Sequence, residues 1–533
     1  MKFSLLLKVT ALFFNTSNQF TFPVDQEEPA DFEKAILAAK WGKFHWMMYT
    51  IAITSGWSSM FETTTMSYVF PAAECDLGLT LEHKGLLNAI TYAGMISTGF
   101  FWGYLSDTLG RKKLLIVGYF LDAIFVLLSA TSQSFAMLMV SKFFGGFIIN
   151  GPFSAITTYI SELHCAAHRS NAQYVMGVIY SAGTLVLPLL AVNILPLNFH
   201  WKLSENFIIH SWNIYLFICA FVPLTSAVAF IFLPESPKFL MTTGRNEKAL
   251  AVFRKIYAMN TGQPGDNFPV KVLVNEIELN QICNYKITAN RTKSKAFLEG
   301  WQQMKPLFQG PYLAKIILLC LIQCFNMGSL NTLRLWLPQL FQAMNDYELN
   351  YNSSAPLCEA LEVFKPNKIL ENNNKTIECF VNTNNYSVYT NSMIVCAVTI
   401  LSYLVAGGVI NKIGKKKLGV ILGSCTGLTA MSLYWSRNSL STLTLASMFV
   451  AGGSVMINTL LAIIVEMFPT TLRTMTVSLA MMSGRSGAVI GNSLYPILLK
   501  TGCSPPLFFN GILSLSCGLL ILLLPVQDSV SLT

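Results

Sequence analysis

The sequence contains the stretch Gly103-Tyr-Leu-Ser-Asp107-Thr-Leu-Gly110-Arg111-Lys112-Lys113 and a weaker copy of it, Gly407-Gly-Val-Ile-Asn411-Lys-Ile-Gly414-Lys415-Lys416-Lys417. Both copies read G-x-x-x-[DN]-x-x-G-[RK]-K-K, and the second begins 304 residues after the first. The same offset relates two E-x6-R patterns, Glu162 to Arg169 and Glu466 to Arg473, each of which follows a long apolar run. Two pairs of patterns at one offset predict that the chain consists of a duplicated half.

The composition indicates that most of the chain lies in a lipid bilayer. Apolar residues make up 53% of the 533 positions and charged residues only 12%, whereas a soluble domain carries about 25% charged residues. Division of the sequence at charges and turn residues leaves twelve apolar runs. Each is long enough to cross about 30 Å of hydrocarbon as a helix. We number these predicted spans 1 to 12: 46–70, 85–106, 114–133, 136–161, 172–196, 210–233, 312–341, 390–410, 418–436, 441–465, 476–499 and 505–525.

The formal net charge of +9 is concentrated in the loops after spans 2, 6 and 8. By the positive-inside rule these loops face the cytoplasm, and with an even number of spans both termini lie there too. The charge therefore sets topology, and we expect no nucleic-acid partner. The predicted segments are a cytoplasmic stretch 1–44 (with 1–30 unassigned), a six-helix bundle 45–233, a cytoplasmic linker with short helices 234–311, a second bundle 312–525 and a cytoplasmic tail 526–533.

The loop between spans 7 and 8, residues 344–389, falls on the lumenal or extracellular side of this topology. It contains N-x-[ST] sequons at Asn352, Asn374 and Asn385, which predict glycosylation. It also contains Cys358 and Cys379. An oxidising compartment favours a disulfide between them.

The G-x-x-x-D-x-x-G-R-K-K loop after a second span resembles the signature of the major facilitator superfamily. Within it, the chain is similar to the synaptic vesicle glycoprotein 2 family in four features: DFEKA…GKFHW before span 1, FPAAECDL after it, PESPK after span 6, and a sequon-bearing loop between spans 7 and 8. In span 1 that family carries an Asp three residues before a Glu, and here the positions are Ser59 and Glu62. The resemblance implies an all-α membrane protein of twelve transmembrane helices in two pseudo-symmetric six-helix bundles. It also implies movement of a small organic ion by alternating access.

The resemblance further implies that the repeated loops form gates at the cytoplasmic face. In the first half, Asp107, Arg111, Glu162 and Arg169 would form a latch, and Gly110 would allow the turn. The second half has Asn411 in place of the carboxylate, so its latch would be weaker. The alternative is that these charges only enforce topology. The predicted second-half gate residues are Gly414, Lys415, Glu466 and Arg473.

Ionisable residues inside the bilayer are functional candidates, because a charge in hydrocarbon is costly. Arg485, close to the predicted midplane of span 11, is expected to line a central cavity and to favour an anionic or zwitterionic ligand. For Glu62, Lys142 and Arg334 the alternatives are snorkelling or an outer-face ion pair. The other candidates, each with helix packing as its alternative, are Asp122, Trp57, Asn150, Tyr159, Asn326, Asn331 and Asn458.

The sequence contains no Walker loop, no HExxH pattern and no dinucleotide fingerprint, so we expect neither an enzyme nor a cofactor. His164 and His168 lie four apart in a predicted cytoplasmic turn, but without the Glu of a metal-hydrolase motif we expect no metal there. The expected partners are a small-molecule substrate, the lipid bilayer and a coupling ion, in a plasma or vesicle membrane. The rival hypothesis is a non-transporting vesicle membrane glycoprotein that serves as a binding or trafficking platform.

Overall fold

The computed structural model describes residues 29–197, 199–204, 207–274, 308–310, 312–353, 356–363, 386–468 and 470–525. Their helices follow the order of the predicted spans, which confirms a helical membrane fold. Span 1 comprises Lys43–Thr64 and Met66–Leu77, and span 2 comprises Leu81–Ser97 and Gly99–Leu109. Spans 3 to 12 are single helices: Arg111–Ala130, Phe135–Glu162, Ala166–Ile194, Ser211–Phe230, Leu313–Tyr351, Tyr386–Ile413, Lys415–Ser432, Ser439–Met467, Thr470–Thr501 and Ser504–Leu522.

Within the described residues, nine helices are long and apolar enough by themselves to cross a membrane. Span 2 is outside that set because its two helices have only 17 and 11 residues. The 22-residue helix Lys43–Thr64 of span 1 and the helix of span 11 are long enough, but they contain many polar residues, among them His45 and Glu62 in the first and Arg485 and Asn492 in the second. The division of span 2 follows from Thr98, whose hydroxyl donates to the carbonyls of Gly94 (3.2 Å) and of Phe147 in span 4 (3.1 Å). A side chain that bonds a carbonyl one turn back competes with the helix ladder and bends it.

The two halves use the same pattern of helix packing. In the first half, span 1 packs on 5, 3 on 6, 3 on 4 and 2 on 4; in the second, span 7 packs on 11, 9 on 12, 9 on 10 and 8 on 10. Adding six to each first-half number gives the second-half pair. The main contacts between the halves are span 2 with span 11 and span 5 with span 8. Replacing each span by its equivalent in the other half turns the first of these pairs into the second. The duplication predicted from the 304-residue offset is therefore present as a pseudo-two-fold arrangement.

Short elements cover the ends of the first half. We call the end that carries both G-x-x-x-[DN] loops the basic end, and the opposite end the outer end. At the basic end, the helices Phe32–Ala38, Pro237–Thr242 and Asn246–Thr261 pack on the first half. At the outer end, between spans 5 and 6, two antiparallel strands occur that the sequence analysis did not predict: β1, His200–Ser204, and β2, Phe207–His210.

Candidate functional site

A buried cluster of charges joins spans 1, 3 and 4 of the first half. Lys142 Nζ lies 2.8 Å from Glu62 Oε1, and both side chains are 1% exposed. The same ammonium donates to the main-chain oxygen of Glu62 (3.0 Å). Asp122, which is fully buried, accepts a hydrogen bond from Ser58 Oγ (2.9 Å) at Oδ2. Glu62 and Lys142 therefore form an ion pair, as one of the two alternatives for them stated, and this pair is enclosed by protein.

The charges of this cluster do not balance. It holds two carboxylates and one ammonium, so it has a formal charge of −1 when all three are ionised. Glu62 Oε2 and Asp122 Oδ1 have no hydrogen-bond partner among the described residues. Gly145 provides the room for Glu62, because a Cβ there would lie 2.3 Å from Oε1. An unpaired buried charge is strongly unfavourable. A proton or a small cation would neutralise the excess.

A second polar group crosses the interface between the halves. Arg485 of span 11 donates from Nη1 to Asn150 Oδ1 of span 4, and its guanidinium lies 5.7 Å from the ring centroid of Phe153. Asn150 is held in turn by its Nδ2, which donates to the carbonyl of Met95 (2.9 Å) in span 2. Arg485 is 7% exposed and has no carboxylate at ion-pair distance in the described part of the chain. Arg485 is thus a buried cation with no counter-charge among its described neighbours.

Tyr92, one helical turn from Met95 in span 2, makes a second bridge across the interface. Its hydroxyl donates to Asn331 Oδ1 of span 7 (3.2 Å), and the same oxygen accepts from Arg334 Nη2 (2.9 Å). Among the described residues Arg334 also lacks a carboxylate partner. We call the set Tyr92, Asn150, Asn331, Arg334 and Arg485 the interface network. It brings together four of the predicted candidates, and Tyr92 is the member that the sequence analysis missed.

The remaining predicted lining residues lie apart from the interface network. Trp57 Nε1 is buried without a partner among the described residues, and the ring packs on Gly183 of span 5. Asn458 approaches Gly177 across the halves, and Asn326 donates weakly to the carbonyl of Gly453 (3.5 Å). Tyr159 is at the basic end, where its hydroxyl donates to the carbonyl of Pro234 (2.7 Å), so its prediction as a lining residue was wrong.

The first-half loop forms an ion pair with the end of span 4. Arg111 Nη2 lies 3.1 Å from Glu162 Oε1. The second carboxylate oxygen of Glu162 accepts from Ser236 Oγ (2.6 Å), and Ser236 caps the helix Pro237–Thr242 by accepting from the Phe239 amide (3.3 Å). Ser236 is therefore the N-cap of this helix. It also ties the PESPK segment to the latch, which the sequence analysis did not anticipate.

The second-half loop repeats this arrangement. Lys415 Nζ lies 3.1 Å from Glu466 Oε2, the counterpart of Arg111 with Glu162. Gly110 and Gly414, which precede these basic residues, have φ of +91° and +89°. Lys112 donates to the carbonyl of Ile231 at the end of span 6 (2.8 Å), as Lys416 does to that of Leu524 after span 12 (2.7 Å). Arg111 with Glu162 and Lys415 with Glu466 keep the 304-residue offset, so one loop arrangement is built twice.

Comparison with known proteins agrees with this geometry. A family profile described as "Sugar (and other) transporter" matches residues 35–345, and one described as "Major Facilitator Superfamily" matches residues 382–532. The chain belongs to the major facilitator superfamily. It is an integral multi-pass membrane protein.

Individual relatives of this major facilitator chain fall in two groups. Synaptic vesicle glycoprotein 2B of Rattus norvegicus is 26% identical over 61% of this chain and 49% of its own length. Synaptic vesicle glycoprotein 2A of Pongo abelii is 26% identical over 65% and 48%. The chain thus spans about half the length of these curated relatives. The E. coli xylose transporter XylE in a partially occluded inward open conformation aligns with a TM-score of 0.63 at 14% identity, covering 91% of this chain and all of that one, which shows a shared fold.

Arg169 pairs with a residue that the predicted latch did not include. Its Nη2 pairs with Glu33 Oε1 of the helix Phe32–Ala38, and its Nε donates to the carbonyls of Ser161 and His164 (3.2 Å each). Glu33 Oε2 also accepts from the Ala166 amide at the start of span 5 (3.0 Å). The helix before span 1 therefore supplies a partner for Arg169 that the family resemblance did not imply. The side chains of Asp107, Asn411 and Arg473 lie outside what the structure describes.

The predicted disulfide partner of Cys358, Cys379, was wrong. Cys358 is bonded to Cys503, between spans 11 and 12, with Cα atoms 5.4 Å apart. The two cysteines meet because the helix Leu357–Val363 folds over the outer end of the second half, where Leu357 is fully buried. Cys379, Asn374 and Asn385 lie outside the described residues. Asn352 ends span 7 in a left-handed conformation, with φ of +51°.

Substituting Gly110 by alanine is expected to destabilise the chain, because φ +91° and ψ 160° are values that essentially only glycine adopts. The new Cβ would also lie 2.4 Å from Glu235 Oε2, whose carboxylate accepts from the Lys112 amide. We expect a cost of about 2 kcal/mol or more, measured as a lower melting temperature of the purified protein. Gly103→Ala in the same motif is the control, since nothing lies within 4 Å of its Cβ position. Equal losses in the two variants would contradict the prediction.

His164 predicts acid sensitivity at the basic end. It is buried between spans 4 and 5, its Nε2 is 3.0 Å from the Tyr49 hydroxyl, and its ring centroid is 5.1 Å from that of His45. Burial, reinforced by the neighbouring His45, lowers the pKa of His164 from 6.5 to about 3. Between these values the unfolded chain binds a proton that the folded chain does not, so stability falls as pH drops below 6.5. The loss should reach about 2 kcal/mol at pH 5.

The measurement for His164 is the change in melting temperature between about pH 7.5 and pH 5. His164→Gln should reduce that change, whatever its absolute stability, and His200→Gln, at an exposed position of β1, should leave it as in the wild type. An unchanged pH slope in the His164 variant would refute the assignment.

Proposed function

We propose that this chain is a secondary active transporter that moves a small organic anion or zwitterion by alternating access. The observation that carries the proposal is the pair of guanidiniums in the interface network. Arg485 is buried and bonds to Asn150 of the opposite half, and Arg334 is half-buried and shares Asn331 Oδ1 with Tyr92 of the opposite half. Neither has a carboxylate partner in the described part of the chain. A midplane Arg costs at least about 2.5 kcal/mol on insertion scales. A negatively charged group of a substrate, bound between the halves, would compensate these charges.

The first-half cluster supports a proton as the coupling ion. Glu62, Asp122 and Lys142 leave one negative charge unbalanced in a dry environment, which uptake of one proton would neutralise. XylE, one of the structures that share the fold, is described as a proton:xylose symporter and was solved with 6-bromo-6-deoxy-D-glucose bound. A proton on the first-half cluster and a substrate anion on Arg334 and Arg485 of the second half would give each half one of the two ligands. Alternating access then exposes both to the same side together.

The two latches support a rocking motion of intact halves. Arg111 with Glu162, and Lys415 with Glu466, each join elements of one half and not of both. They would therefore keep each bundle rigid while the interface opens. We take residues 45–233 and 312–525 as the moving bundles, both termini as cytoplasmic, and a plasma or vesicle membrane as the location.

Flux through proteoliposomes tests the function. Untargeted profiling of solutes accumulated by cells that express the chain would supply candidates, with small carboxylates and amino-acid-like zwitterions tested first. Purified protein should then exchange the accepted solute across the membrane, and an inward proton gradient should increase the initial rate. Binding without flux for every candidate would refute transport and favour the rival function, a membrane glycoprotein that serves as a binding platform. That rival rests on Ser59, which stands where the related family has a carboxylate.

A further inference from the structure

The hairpin between spans 5 and 6 has one face that is apolar and exposed. Trp201 and Leu203 of β1 lie two apart and are 57% and 60% exposed, and Phe199 just before the strand is 40% exposed and packs edge-to-face on Trp201, with ring centroids 6.5 Å apart. Alternate residues of an extended strand point to the same side. Ile209 of β2 stands opposite Trp201 in the antiparallel register and joins this side. We call these residues the apolar hairpin face.

The other side of the hairpin carries His200 and Lys202 of β1, which are exposed, and His210 of β2, which is joined to span 1. His200 and His210 are opposite each other in the register, with ring centroids 5.1 Å apart. His210 Nδ1 lies 3.3 Å from Asp76 Oδ2 at the outer end of span 1, and the same oxygen accepts from Trp212 Nε1 (2.8 Å). Since this side is held by span 1, the apolar hairpin face points away from the bundle. No folded part of the described chain covers it.

The second half shows what lies at this level of the molecule. At the outer end of spans 9 and 12, Tyr434, Trp435 and Phe508 form an edge-to-face cluster, and Trp435 is 63% exposed. Exposed Trp and Tyr at the ends of membrane helices mark the boundary between headgroups and acyl chains. The loop that contains Trp435 joins spans 9 and 10.

The equivalent loop of the first half, which joins spans 3 and 4, has no aromatic residue. It reads Thr131-Ser132-Gln133-Ser134. Gln133 Oε1 nevertheless accepts a hydrogen bond from the Ile208 amide of β2 (3.1 Å), so the hairpin is tied to this loop. Below it, spans 5 and 6 present Leu189, Phe217 and Phe221 to the outside, each more than 40% exposed, as expected for lipid-facing side chains. The hairpin thus brings Phe199 and Trp201 close to a loop that has no aromatic residue of its own.

We propose that the apolar hairpin face is a membrane anchor, inserted at the headgroup–acyl boundary of the leaflet at the outer end. The partner is therefore the lipid surface itself. Aromatic and aliphatic side chains on one face, with a polar opposite face, are the composition of interfacial segments. The anchor would hold the outer ends of spans 5 and 6 at a fixed depth while the bundles move.

Spin labels on the two sides of β1 test the anchor. Leu203→Cys and Lys202→Cys would be made in a Cys425→Ser background, which removes the exposed free cysteine among the described residues, and the full chain reconstituted into phosphatidylcholine nanodiscs. The adjacent positions differ only in the side of the strand they occupy. We expect the label at 203 to be several-fold more accessible to oxygen, relative to a water-soluble nickel reagent, than the label at 202.

Every other outcome overturns the proposal in a defined way. Equal nickel accessibility at both positions would mean that the face is in water. A label at 203 that is immobilised and shielded from both reagents would mean that protein, from this chain or a second copy, covers the face. As an independent measurement, brominated phosphatidylcholine should quench the wild-type tryptophan fluorescence more than that of Trp201→Ala. Equal quenching would also reject the anchor.

Discussion

Replacing Lys142 by methionine is expected to destabilise the folded chain by about 3–5 kcal/mol, the loss that follows removal of one partner of a buried ion pair. Lys142 is the cation of a cluster that also contains Glu62 and Asp122, and its side chain and that of Glu62 are 1% exposed. Without the ammonium, two carboxylates would remain in a dry site. The measurement is the melting temperature of the purified protein, with monodispersity on size exclusion as a check of folding.

The double variant Glu62→Gln with Lys142→Met separates charge from packing. It removes the pair together, so most of the lost stability should return, because the penalty of the single variant comes from the orphaned carboxylate. Lys84→Met is the matched control: its partner Glu74 is 41% exposed, so the loss should stay within about 1 kcal/mol. If the single and double variants melted at the same temperature, the ion pair would not be the source of the effect.

The transmembrane spans and the two halves could be predicted because they depend on local and repeated sequence patterns. Apolar length gave the spans, and the 304-residue offset gave the two halves. The family resemblance grouped Arg111 with Glu162, and the offset gave Lys415 and Glu466 as the equivalent residues of the second half; the structure has both ion pairs. The hairpin was missed because its strands are only five and four residues long and sit within a short connection.

The pairings between spans could not be predicted, because they depend on how each helix is rotated toward its neighbours. Spacing along one helix says nothing about the 80 residues that separate Glu62 from Lys142, or the 335 that separate Asn150 from Arg485. Tyr92 carried no signal of its own, since one Tyr in an apolar run is usually packing. One missed feature did have a signal. Cys503 follows span 11, so it lies on the same side as Cys358 in the predicted topology, and that parity would have made it a candidate partner.

Replacing Arg485 by glutamine is expected to abolish most uptake while leaving the melting temperature unchanged or higher. Uptake falls while stability does not, and both results follow from the buried positive charge. The guanidinium is buried, bonds only to the neutral Asn150 side chain, and has no carboxylate partner in the described residues, so it costs stability in the substrate-free chain. Removing it relieves about 2.5–3.5 kcal/mol of insertion cost, less whatever its bond to Asn150 returns. Removing it also deletes the positive charge proposed to bind the substrate anion.

Asn150→Asp tests the same role of Arg485 by a change in the opposite half. A carboxylate at this position would neutralise Arg485 where the substrate anion is proposed to sit, so it should raise the melting temperature and suppress uptake. Arg437→Gln, in the exposed loop between spans 9 and 10, should change neither quantity. The measurements are initial uptake in proteoliposomes and melting temperature on the same preparations. A lower melting temperature with undiminished uptake in Arg485→Gln would make Arg485 a structural residue. A side chain that only joins the halves stabilises the protein but does not bind the charged group of the substrate.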